Sequence, residues 1–175
     1  MSCDLLPSDS DLGPHYQGDV LDLINEDFDL LIAHPPCTRL ANSGVRWLAE
    51  RNLWAEMKQA ADFYLALRSA PIKMKCIENP IMHKYGRELL GNLPRQVVQP
   101  YWFGEETLKA TGYELHNLPE LKPTKKLTPP RPGTDEHKKW SWVHRCPPGP
   151  MRWKIRSLTP NGIALAMADQ WGALL

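Results

Sequence analysis

The stretch Asp29-Leu30-Leu31-Ile32-Ala33-His34-Pro35-Pro36-Cys37 decides how the rest of the chain is read. Its apolar run, ending at Ala33, has strand length and no period-two alternation, which is the pattern of a parallel strand buried on both faces. Pro35 and Pro36 stop it sharply, because neither ring can donate to a ladder. A cysteine therefore stands just past the strand's C-terminal end, the edge at which open α/β sheets bind their ligands.

Downstream, Leu53, Met57, Ala60, Tyr64 and Leu67 recur at spacings of three and four, so the spacing predicts a helix from Trp47 to Arg68, stopped by Pro71. Met74 to Ile77 is a second short apolar run, ending in Glu78-Asn79-Pro80. Val97-Val98 and Tyr113 to Leu115 suggest two more strands. Upstream, Ser2 to Leu6 reads as a short strand end, Pro7 to Gly18 as turns, and Gly18 to Ile24 as a brief amphipathic piece. Strand, helix and strand in succession predict an α/β domain with a mostly parallel sheet.

Seven prolines in Pro123 to Pro150 argue against a helix or central strand there, so about 122–156 is expected to be an irregular excursion within a single domain spanning 1–175. Thr159-Pro160 then looks like an N-cap followed by proline at the first helical position, opening a helix that runs through Trp171 and ends at Gly172. Ile163, Met167 and Trp171 share one face of it, with Ala164 and Ala168 beside them.

An apolar fraction of 42% and a charged fraction of 23% are those of a folded globular chain. No stretch reaches the roughly 18 apolar residues of a membrane span, and the acidic first thirty residues carry no signal pattern, so a cytoplasmic protein is expected. Cys3, Cys37, Cys76 and Cys146 lie far apart, which suggests neither a disulfide framework nor a zinc knuckle, and no metal is expected. The net charge of +1 divides unevenly: residues 122–156 carry a formal +8 and the remainder −7. A basic segment holding Trp140, Trp142 and Trp153 suits phosphate neutralisation and base stacking by a nucleic acid, the alternative being a solvated, basic, Pro-rich loop.

Two parallel strands would deliver Cys37 and Glu78 to one edge. A thiolate can add to C6 of a cytosine when an acid serves N3, and C5 then becomes nucleophilic enough to capture an electrophilic methyl group. Cysteine suits this as both a strong nucleophile and a competent leaving group.

With those residues in view, Ala33-His34-Pro35-Pro36-Cys37 resembles the Pro-Pro-Cys loop of the DNA cytosine-5 methyltransferases, and Ile77-Glu78-Asn79-Pro80 is similar to their Glu-Asn-Val strand end. Gly18-Asp19-Val20 resembles their Gly-Asp-Ile segment, and Arg156-Ser157-Leu158-Thr159 their Arg-x-Leu-Thr block. The wording of the chain also resembles short phage and prophage proteins of this kind, which would place it in a bacterial host cell. The resemblance implies a Rossmann-like methyltransferase fold, methyl transfer from S-adenosylmethionine to C5 of cytosine, and a covalent intermediate on Cys37 with Glu78 at N3. It implies that Pro35, Pro36 and Asn79 shape the base pocket, that Arg39 and Ser43 lie near phosphate or the flipped nucleotide, and that Asp4, Asp19 and Asn161 contact the cofactor. The family's opening strand and Phe-x-Gly-x-Gly turn have no counterpart here, so the fold is expected to be N-terminally truncated. The neighbours of that strand could pair directly, or a second copy could lend one, making a homodimer one expected form. The alternative function is a catalytically inactive relative that binds DNA or a host protein.

Overall fold

The computed structural model describes residues 1–79, 81–91 and 95–175. The strands are β1 (Ser2–Asp4), β2 (His15–Gln17), β3 (Leu30–Ala33), β4 (Met74–Asn79), β5 (Arg95–Val98) and β6 (Thr111–His116). The helices are α1 (Arg46–Glu50), α2 (Trp54–Ser69), α3 (Lys84–Leu90), α4 (Asp135–Trp140), α5 (Trp142–Arg145), α6 (Arg152–Ser157) and α7 (Asn161–Gly172). Among the described residues no helix is long and apolar enough to cross a membrane.

The chain is α/β, but its sheets are not mostly parallel as expected. β3, β4, β6 and β5 form one four-stranded sheet in that order, and β1 and β2 form a separate parallel pair. Within the larger sheet β3 and β4 are parallel, with Ala33 opposite Ile77, while β6 runs antiparallel to both β4 and β5. The reason lies in the connection. A parallel return needs a crossover, usually helical, whereas the β5–β6 link holds only a single 3₁₀ turn, Pro100–Trp102. β6 therefore turns back and slots between β4 and β5. β3 is an edge of its ladder, with Ile32 exposed, rather than a strand covered throughout. The parallel β2 also lies inside the segment expected to be only turns.

Side chains alternate across the sheet as strand geometry requires. Ala33 and Ile77 face a core made with Leu48, Met57, Ala61, Tyr64 and Leu67 of α1 and α2. Cys76, Val98 and Tyr113 face the opposite core, which α7 closes with Ile163, Ala166, Met167 and Trp171. Trp171 is fully buried, and its indole Nε1 donates to the Pro119 carbonyl at 3.0 Å. Ala164 and Ala168, expected beside the buried face, are exposed; Ala166 takes that place.

The single helix expected over Trp47 to Arg68 is broken in two at Asn52. There φ is 50°, Asn52 N–H donates to Ala49 O, and Leu53 N–H donates to Leu48 O. This is a Schellman stop with asparagine in the left-handed position, and Leu53 meets Leu48 across it in the same core. The proline-rich excursion also holds more structure than expected, since α4 and α5 fit between Pro132 and Pro147. Thr134 caps α4, its hydroxyl accepting from His137 N–H at 3.1 Å.

α7 starts one residue later than expected. Pro160 is its N-cap rather than its first helical residue, and no local side chain caps it. Glu105, 57 positions earlier, supplies the acceptor instead: its Oε1 takes the Gly162 N–H at 2.6 Å. This carboxylate also opposes the positive end of the helix dipole.

Candidate active site

The parallel pairing of β3 with β4 brings the two post-strand loops to one edge, and backbone hydrogen bonds then stitch those loops together. Asn42 N–H donates to Ile81 O at 2.8 Å, His83 N–H donates to Leu40 O at 3.1 Å, and Ala41 forms an antiparallel bridge with Met82. The first loop is itself closed by the Cys37 carbonyl, which accepts from both Leu40 and Ala41. Pro35 is buried and Pro36 exposed, so the pair turns the chain outward with Cys37 half-buried at the rim.

His83 is the rivet of this arrangement. It is only 2% exposed, its Nδ1 accepts from Gly86 N–H at 3.0 Å, and its Nε2 lies 2.7 Å from Arg39 O. An accepting Nδ1 fixes the neutral tautomer with the proton on Nε2, which donates to that carbonyl. Both nitrogens are thus committed to structure, and His83 is not poised as a base for Cys37.

Glu78, largely buried with 15% of its side chain exposed, faces the half-exposed His34, whose Nδ1 is 3.8 Å from Glu78 Oε2. Burial pushes the Cys37 thiol above its ordinary range, and the Glu78 carboxylate pushes in the same direction; the cysteine's own backbone N–H, Lys109 and Arg156 pull it back. Burial also lowers Lys109, with Arg156 adding to the effect, while Glu78 and Cys37 oppose it. Four groups therefore share one electrostatic neighbourhood: a thiol, a carboxylate and two cations. The Glu78 carboxylate thus disfavours the Cys37 thiolate, while the two cations favour it.

Cys37 alkylation by iodoacetamide should accordingly keep accelerating above pH 9.0, the ordinary thiol value, because only the thiolate reacts. In Glu78→Gln the rise should move to lower pH, as one anion has gone. Stopped-flow alkylation followed by peptide mapping measures both profiles, and superimposable curves would show that the two groups are not coupled.

Asn79, next to Glu78, is fully buried, and neither its Oδ1 nor its Nδ2 has a hydrogen-bond partner among the described residues. Such an orphaned amide costs about 1–3 kcal/mol. Its backbone lies against Gly112, where a Cβ would meet the Asn79 carbonyl oxygen at 2.8 Å, so that position requires glycine. Pro80 lies outside the described residues.

The remaining sequence-derived residues fall in three places. Asp4 and Asp19 are both exposed and lie close together, since Gly18 N–H donates to Asp4 O and both carboxylates bear on Cys3. Asp4 Oδ1 accepts from Leu6 N–H at 2.8 Å and Asp19 Oδ1 from Leu21 N–H at 3.0 Å. Arg39 is drawn to α2, where its guanidinium pairs with Glu56 at 2.7 Å, while Ser43 is exposed in the 3₁₀ turn Asn42–Gly44. Asn161 lines a cavity with Lys109 and Arg156.

Lys109 was not foreseen as a site residue. It sits in Glu105-Glu106-Thr107-Leu108-Lys109, which has no local motif, and becomes significant only because β6 runs antiparallel beside β4. Comparison of the chain with protein-family models, curated proteins and solved structures gave no match.

Proposed function

We propose that the chain acts on cytosine in DNA as a cytosine-5 methyltransferase of the phage type, with Cys37 as nucleophile and Glu78 as the acid at N3. The observation that carries this reading is the delivery of Cys37 and Glu78 to one edge by adjacent parallel strands, with Lys109 and Arg156 in the same electrostatic field. Supporting it, Asp4 and Asp19 cluster at the corresponding ends of the parallel β1–β2 pair. Each uses one carboxylate oxygen locally, leaving the other to accept from a hydroxyl or amine, which suits the ribose and adenine of S-adenosylmethionine.

In this reading the Cys37 sulfur bonds to C6 of an extrahelical cytosine as Glu78 gives its proton to N3. Cations nearby offset the charge of the thiolate before it is consumed. S-adenosylmethionine supplies the electrophilic methyl group that C5 captures. The C5 proton then leaves to water, the sulfur–C6 bond breaks, and N3 returns its proton to Glu78, regenerating thiolate and acid.

The test is a trap. Fluorine at C5 cannot depart as a proton does, so a random-sequence duplex carrying 5-fluorocytosine, incubated with the protein and S-adenosylmethionine, should leave a methylated adduct on the Cys37 peptide by mass spectrometry. No adduct, from protein whose Cys37 still alkylates, would refute the mechanism.

A second reading, a DNA- or protein-binding relative without turnover, draws on one observation. Asp4 and Asp19 sit on a sheet that shares no ladder with the sheet carrying Cys37 and Glu78 among the described residues. Nothing in the backbone pairing therefore fixes the two halves at the distance that transfer requires. Adduct formation separates the readings.

A further inference from the structure

A cavity of about 220 Å³ is bounded by the segment leading into β6 and by the α6–α7 link, and two of its wall residues, Lys109 and Arg156, bear electrostatically on Cys37. Its walls include Lys109, Arg156, Thr107, Thr159, Trp142 and Glu105. The antiparallel register puts it at the active edge: Asn79 pairs with Gly112, and β6 begins one residue earlier, so Lys109 lies beyond the end of β4.

The polar groups here are unevenly satisfied. Lys109 Nζ donates to Arg156 O at 2.9 Å and Leu158 O at 3.0 Å, which leaves one of its three protons. Arg156 Nε is buried and has no hydrogen-bond partner among the described residues. The Thr107 hydroxyl oxygen accepts from Trp142 Nε1 at 3.1 Å, so its own proton remains to donate. Glu105, the one anion on the wall among the described residues, is already turned to Gly162 N–H. Two cations and a hydroxyl thus face a space large enough for a tetrahedral oxyanion, and an unpaired buried guanidinium nitrogen is costly unless something completes it.

We propose that this cavity is a phosphate subsite that holds a phosphodiester of the polynucleotide whose base is presented to Cys37 and Glu78. It rests on the reading of the chain as a DNA-directed protein and adds the group that anchors the strand. A planar guanidinium and an ammonium together match phosphate geometry, the former with directed donors and the latter as a point charge. Trp142, partly exposed at the rim, offers a stacking face to a neighbouring base.

The experiment uses the full chain without S-adenosylmethionine, so its result is independent of adduct formation at Cys37. Binding of a dC tetramer is measured across a salt series by calorimetry, beside its neutral methylphosphonate counterpart and beside inorganic phosphate. Arg156→Gln should weaken tetramer binding about five- to tenfold and reduce the slope of log K against log salt by about 0.7, the release from one single-strand phosphate. The variant's Tm should be unchanged or higher, because an unsatisfied buried cation has been removed. Arg156→Lys should keep the slope. The methylphosphonate should bind no better to wild type than the tetramer binds to Arg156→Gln. An unchanged slope in Arg156→Gln, or a methylphosphonate that binds as well as the diester, overturns the proposal; so does inorganic phosphate matching the tetramer, since the site would then serve a free anion. Should Arg156→Gln fold poorly, loss of the slope in Arg156→Lys would equally overturn it.

Discussion

Cys37→Ser should lower single-turnover methyl transfer to cytosine on the order of 10⁴-fold or more, while leaving DNA affinity within about twofold of wild type. Removal of an enzyme nucleophile costs up to about 10⁶ in kcat where it has been dissected, with binding and electrostatic stabilisation accounting for what remains. Serine is a severe test here because the site does little to help a hydroxyl. Burial and the Glu78 carboxylate already push even the far more acidic Cys37 thiol above its ordinary range. An alkoxide in that position would face the same opposition from a much weaker starting point. Glu78→Gln should fall less, by about 10²- to 10⁴-fold, the range for loss of a positioned acid, since the amide can still donate to N3 but cannot transfer a proton. Radiolabelled methyl incorporation at saturating cofactor, with affinity by anisotropy, distinguishes chemistry from binding. A serine variant retaining a tenth of wild-type turnover would remove Cys37 from the mechanism.

The edge that carries these residues was legible in the sequence because it depends on local signals. An apolar run stopped by Pro35 and Pro36 yields a strand end, a second run yields Glu78, and parallel neighbours need only the helix between them. What local signals could not supply is any feature made by distant pairing. The break at Asn52 is hidden because Ala49, Leu53 and Met57 keep a spacing of four across it, and only the asparagine's tolerance of positive φ betrays it. The antiparallel insertion of β6 follows from a missing crossover helix, which nothing in Tyr113 to Leu115 signals. Lys109 and Arg156 come together across 47 positions. Arg156 was visible as part of an Arg-Ser-Leu-Thr block and a basic stretch, yet the burial of its Nε without a hydrogen-bond partner among the described residues is a property of packing alone. The cap of α7 shows the same limit: Thr159-Pro160 has the right chemistry, but Glu105 does the capping from across the fold.

Arg68→Met should destabilise the protein by about 3–5 kcal/mol, the cost of leaving a buried ion without its partner. Glu114 on β6 is 2% exposed and its carboxylate takes four hydrogen bonds. Arg68 Nε and Nη2 donate at 2.8 and 3.1 Å, Tyr64 hydroxyl donates at 2.9 Å, and His116 Nε2 lies at 2.7 Å. Arg68 Nη1 also holds the Leu90 carbonyl at 2.9 Å, so one guanidinium joins α2, the end of α3 and the sheet. At about 2–4 °C per kcal/mol for a chain of this size, the loss corresponds to a fall in Tm of roughly 6–20 °C. The double variant Arg68→Met, Glu114→Leu should recover more than half of it, because an apolar pair of similar volume is often as stable as the ions it replaces. If the single variant unfolds no earlier than wild type, the pair is not what stabilises this layer. Its consequence for the site is one of register. Glu114 lies opposite Ile77, the residue before Glu78, and a slip of β6 by one position would turn Glu114 into the core lined by Cys76, Val98 and Trp171. The charge forbids that slip. In Arg68→Met the double variant's test therefore extends to hydrogen exchange: amides of β4 and β6 should lose protection in the single variant, and the double variant should regain stability without regaining the same strictness of pairing, since leucine is at home on either face.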